Sequence, residues 1–126
     1  MGYAVTLFRA AQSDTWSDCA AFAETRSAAE AYLANPGYGG ARLWTTTVEV
    51  DPETLLDLTE VSEKKAMCTV LALIEGSTHP GAIGVDEYIP RVSYELRAAG
   101  IEWVRVNESY PANTITWIFV GSEDPE

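Results

Sequence analysis

The chain has 126 residues, 47% apolar and 21% charged, enough for one hydrophobic core and too apolar for a disordered tail. Nineteen acidic residues against eight basic ones give a formal charge of −11, the opposite of the basic footprint that binds duplex nucleic acid. No apolar run approaches the roughly 20 residues that cross a bilayer, and the start GYAVTLFRA lacks a basic region and a cleavage site, so no membrane contact and a cytoplasmic location are expected.

Tyr3 to Phe8 (YAVTLF) is β-rich and predicts a first strand that delivers Arg9 at its end. AQSDTWSD reads as a loop, and Ala20 to Glu24 (AAFAE) as a short strand or a first helical turn. Ser27-Ala-Ala-Glu30 has the form of a capping box and predicts a short helix through Tyr32 and Leu33, ended by the breakers NPGYGG. Arg42 to Val50 (RLWTTTVEV) is the strongest strand in the chain, with Trp44, Thr46, Val48 and Val50 on the buried face.

Asp51-Pro52 closes that strand, and Leu55 to Leu58 forms a short apolar segment after the turn. Ser62 and Glu63 open a helix through KKAMCTVLALIE whose buried stripe is Met67, Leu71 and Ile74. After STHPGAIG a second helix carries Pro90 early, with Ile89, Val92, Leu96 and Ala99 at helical spacing and Gly100 as its stop. Ile101 to Val106 and Thr114 to Val120 are the last strands, joined by NESYPAN. The expected architecture is one α+β domain over residues 1–121, with a mixed, mostly antiparallel sheet, about three helices, and an acidic tail at 122–126.

Generic chemical motifs are missing: no P-loop, GxGxxG, HExxH or GxSxG occurs. NPGYGG follows a helix and precedes a strand, whereas a phosphate cradle needs strand, glycines and then a helix N-terminus. Cys19 and Cys68 match no metal or redox spacing and read as buried thiols, and the lone His79 cannot be half of a zinc site. Three polar residues stand at element edges: Arg9 after the first strand, Thr25 before a helix, and Glu108 after IEWVRV. A phosphate-clamping arginine, a hydroxyl at a helix start and a carboxylate on a neighbouring strand form a set that can hold a dinucleotide and stabilise a charged sugar. Singly, each also reads as a surface cation, an N-cap and a solvated loop residue.

In order along the chain, the strand ending in Arg9, FAET followed by SAAEAYL, TTTVEVDPETLLDLT, GIEWVRVNE and TITWIFV resemble the small ADP-ribosyltransferase-like domains of bacterial toxins and some phage anti-CRISPR proteins. The resemblance implies an ADP-ribosyltransferase-like fold in which Arg9, Thr25 and Tyr32 contact NAD, the substrate, and Glu108 is the catalytic acid. Trp16 and Tyr38 join Tyr32 as candidates to stack on nicotinamide or adenine. Glu102, six residues earlier, is the alternative acid, but it shares a strand face with Val104 and Val106, so Glu108 is preferred.

The expected function is NAD-dependent mono-ADP-ribosylation of a macromolecular target, a basic protein by the logic of the −11 charge. Two other readings stand: a non-catalytic acidic inhibitor or immunity module that covers a basic surface of a nucleic-acid-binding protein, and a transferase-like scaffold whose site has decayed.

Overall fold

The computed structural model describes residues 2–12, 20–33, 41–74, 83–107 and 114–121. Within them the strands β1 (Tyr3–Ala11), β2 (Ala21–Ala23), β3 (Arg42–Val50), β4 (Leu55–Asp57), β5 (Trp103–Asn107) and β6 (Ile115–Phe119) form a six-stranded sheet in the order β3-β1-β2-β6-β5-β4. The β4–β5 pair is parallel and the other pairs are antiparallel. The helices are α1 (Arg26–Leu33), α2 (Glu63–Leu73) and an arm of α3 (Val85–Tyr88), a 3-10 turn (Ile89–Val92) and α4 (Ser93–Ala98). The described residues thus make the single α+β domain with a mixed sheet that the chain order predicts. None of their helices is long and apolar enough to cross a membrane.

Local chemistry accounts for most element boundaries. β3 alternates as expected, with Trp44, Thr46, Val48 and Val50 less exposed than Thr45, Thr47 and Glu49. Ser62 caps α2 by accepting a hydrogen bond from the Lys65 N–H at 3.1 Å. Cys68, expected inside, is exposed, because the apolar run AMCTVLAL is one side of a helix only where Ala66, Met67, Val70 and Ile74 recur. The α1 cap lies two residues before the expected one. The Thr25 hydroxyl accepts from the Ala28 N–H at 3.3 Å, and Glu30, rather than reaching back to Ser27, pairs with Arg26 at 3.2 Å. In the arm, Pro90 has no N–H to donate, and the helix that the spacing predicts is cut there by a 3-10 turn. Gly100 ends the arm with φ at 93°, in the left-handed region that favours glycine.

The sheet cannot be flat. β3 and β4 are its outermost strands, yet only residues 51–54 join them, in a turn where the Thr54 N–H donates to the Asp51 carbonyl at 2.9 Å. Six flat strands would set the edges about 24 Å apart, whereas the steps from Val50 to Leu55 reach at most about 18 Å even when fully extended. The sheet therefore curls into an open trough, which is how Val50 of β3 comes to pack in one cluster with Leu55, Trp103 and Trp117 from the far strands.

Strand alternation divides the core between the two faces of this trough. The convex face carries Val104, Val106 and Ile118 under α2 and the α3–α4 arm, with Val70, Ile89 and Leu96 fully buried against them. The concave face carries Leu7, Phe22, Trp103 and Trp117. Trp103 is the aromatic hub, with ring centroids 5.6 Å from Phe22, 6.2 Å from Trp117 and 5.0 Å from Phe119.

Candidate functional site

Arg9 lies within β1, which runs three residues further than the expected Tyr3–Phe8, to Ala11. Phe8 pairs with Ala23, so Arg9 and Phe22 share the concave face, and the Arg9 guanidinium stands over the Phe22 ring, 5.7 Å from its centroid. Glu24 follows β2 on that same face, as a diagonal cross-strand neighbour of Arg9, and Thr25 comes next in the chain. Arg9 is thus on the strand next to β2, level with Phe22, and Thr25 lies three residues further along the chain from Phe22.

Tyr32 and Arg9 line one cavity of about 100 Å³ beneath α1, together with Phe8, Phe22, Ala29 and Thr116. By contrast, β1 and β5 are not adjacent, as the strands of Arg9 and Glu108 were expected to be. β2 and β6 lie between them, because the curled sheet inserts its last strand beside its second. Glu108 itself lies outside the described residues, as do Trp16, Tyr38, Cys19 and His79. Glu102 is half-buried just before β5, its N–H donated to the Thr54 carbonyl at 2.8 Å.

The most strongly organised polar group was not foreseen. Arg105, on β5, donates from Nε to Glu24 Oε1 at 2.6 Å and from Nη2 to Glu24 Oε2 at 3.1 Å, a two-pronged grip on one carboxylate. Its Nη1 donates to Asp57 Oδ2 at 3.1 Å and to the Thr59 hydroxyl at 2.9 Å. The Trp117 indole N–H donates to Glu24 Oε1 at 2.9 Å, and Arg105 also lies over the Trp117 ring, 6.0 Å from its centroid. Register alone would place Arg105 beside Trp117 and Asp57, since β5 pairs them directly. Glu24 stands 81 residues from Arg105 in sequence, and no local pattern announces that pair.

These contacts keep the groups ionised. The hydrogen bonds from Arg105 hold the Glu24 carboxyl below its ordinary value against partial desolvation, and the Trp117 indole adds to the effect. Partial burial opposes ionisation of Asp57, but the Thr59 hydroxyl and N–H, with Arg105, outweigh it and lower its pKa. Arg105 is raised in turn, chiefly by its hydrogen bonds to Glu24. Two carboxylates around one guanidinium leave the cluster net negative.

Glu24 and Thr25 also line a second, more polar cleft of about 300 Å³ with Ser27, Ala28, Thr114 and Ile115. That volume is at the lower end of small-molecule clefts. Ile115 pairs with Asn107, so β5 leaves the sheet at the level of this cleft. The described residues contain no group of His, Cys, Asp and Glu able to hold a metal. No protein-family model, curated protein or solved structure matches the chain.

Proposed function

We propose that the protein is an ADP-ribosyltransferase that uses NAD to modify a basic macromolecular target. The observation that carries the reading is that α1 and the β2–α1 junction border two hollows lined by the expected residues. Arg9 and Tyr32 line the 100 Å³ cavity, Thr25 borders the 300 Å³ cleft, and β5 ends opposite Ile115 of that cleft with Glu108 next in sequence.

Cleavage of the nicotinamide–ribose bond sends the bonding electron pair to nicotinamide and leaves positive charge on the sugar. A fixed carboxylate opposes that charge, and Glu108 is the residue assigned to do so. Arg9 supplies a fork suited to a phosphate, and Thr25 a hydroxyl at the start of α1. Tyr32, which lines the 100 Å³ cavity with Arg9, offers a ring for the cofactor to stack on. The −11 charge serves the protein target rather than NAD, which is itself anionic.

Incubation with labelled NAD and cell extract is expected to label a macromolecule. Glu108→Ala should abolish that label, and Arg9→Gln should weaken NAD binding by about tenfold or more, the loss of a charge-assisted contact. A wild-type protein that neither binds nor consumes NAD overturns the reading. The charge also favours an acidic inhibitor of a basic surface. A pull-down that fades steeply with salt and leaves no covalent mark would select it.

A further inference from the structure

Glu24 is the link between β2 and the Thr25 cap, and β2 is only three residues long. So short a strand, with one register pair to β1 and three to β6, fixes the direction of the following chain poorly on its own. What it lacks is supplied by the Glu24 carboxylate, which takes two hydrogen bonds from Arg105 and one from Trp117. Arg105 is itself held from the other side by Asp57 and Thr59, on the β4 side of the sheet.

We infer that Arg105 is a positioning residue. By gripping Glu24 it fixes the β2–α1 junction, and through that junction the Thr25 hydroxyl and the first turn of α1 at the border of the 300 Å³ cleft. Its consequence for NAD rests on the transferase reading above; the mechanical link does not. Arg105 is not an anion receptor in its own right, because Glu24 and Asp57 already take up its charge. A lysine in its place would keep the charge but lose the fork that holds both Glu24 oxygens.

The test compares Arg105→Gln and Arg105→Lys with wild type in the full chain. Three signals are read: the Trp117 indole N–H resonance, assigned with Trp117→Phe, hydrogen exchange at the Ala28 and Ala29 amides, and the kinetics of NAD use. The Ala28 N–H bonds the Thr25 hydroxyl and the Ala29 N–H the Thr25 carbonyl, so both report on the junction. Arg105→Gln is expected to move the indole signal and to speed exchange at both amides by about tenfold, while the β1–β3 amides keep their rates. The KM for NAD should rise by about tenfold with kcat within about threefold, the pattern of a displaced binding group. Arg105→Lys should fall between wild type and Arg105→Gln on every signal.

Unchanged Ala28 and Ala29 exchange in Arg105→Gln overturns the inference, and so does acceleration of all amides together. An unchanged KM beside faster exchange overturns the consequence for NAD. If Arg105→Gln does not fold, Glu24→Gln keeps the shape of the clamp, removes its charge, and must give the same indole and amide changes. If wild type does not use NAD, the transferase reading falls, and the indole and amide signals still confirm or overturn the clamp.

Discussion

The two faces of the sheet are built on different principles. The convex face under α2 and the α3–α4 arm is mainly apolar, and its residues are held by shape: Val70, Ile89, Leu96 and Val104 have essentially no exposure. The concave face mixes a tryptophan-centred cluster with Arg9, Glu24, Asp57 and Arg105, groups that need partners as much as packing. A substitution on the convex face leaves a void, whereas one on the concave face leaves a charge. The first face is held by apolar packing and the second by charge pairing as well.

The largest expected effect is on the convex side. Leu96→Ala should lower unfolding stability by about 3 kcal/mol in a urea titration, and leave the Trp117 indole environment unchanged, because the cavity opens beneath α4. Equal losses from Leu96→Ala and Glu24→Gln would erase the distinction between the faces.

Next comes the clamp. Arg105 and Glu24 keep 23% and 29% of their side-chain surface exposed, so solvent screening reduces the value of the pair. Glu24→Gln should therefore cost about 1–2 kcal/mol, less than a fully buried pair would. Because the folded-state pKa of Glu24 lies below its ordinary value of 4.5, that contribution is complete above pH 4.5 and is lost as pH falls through the lowered folded value. The gap between wild type and Glu24→Gln in unfolding midpoint should be widest near neutral pH and should narrow below pH 4.5. A gap that widens in acid would contradict the assignment.

The smallest effect belongs to the cap. Thr25→Ala should cost about 1 kcal/mol or less, since the hydrogen bond to the Ala28 N–H is long at 3.3 Å and exposed. Helical circular dichroism should change little, with the loss confined to amide protection in α1. A larger loss would mean that the Thr25 hydroxyl holds more than the end of the helix.

How much of this could be read from the chain depended on the range of the interaction. β3 was legible to the residue, because β-branched and aromatic residues alternate over its full length. α2 was legible from Ser62, whose cap acts within three residues. Arg9 and Thr25 stood out as edge residues, and the pairing of β1 with β2 puts them on neighbouring stretches of chain. The register of the α1 cap slipped by two because Thr25 and Ser27 both suit that position, and only the path of β2 chooses between them. The exposure of Cys68 was hidden by an apolar run that looks buried on all sides, although one helical face suffices to bury its neighbours. The clamp was beyond reach: Arg105 meets Glu24 across 81 residues and Asp57 across 48, and nothing local in AFAET or EWVRV marks either pairing.

The position of β6 has a consequence for how the molecule is made. It is the last strand among the described residues, yet it sits inside the sheet, and Trp117 on it reaches Glu24 across 93 residues. Until β6 has been synthesised, β2 has no neighbour on that side and Phe22 has no Trp117 opposite it. The β1–β3 hairpin can form on the emerging chain, but the trough, the clamp and the cleft can form only once β6 is available. Assembly of the clamp and the cleft is thus coupled to synthesis of β6, and a chain released before residue 115 would leave Leu7, Phe22 and Trp103 without the β6 side of their cluster.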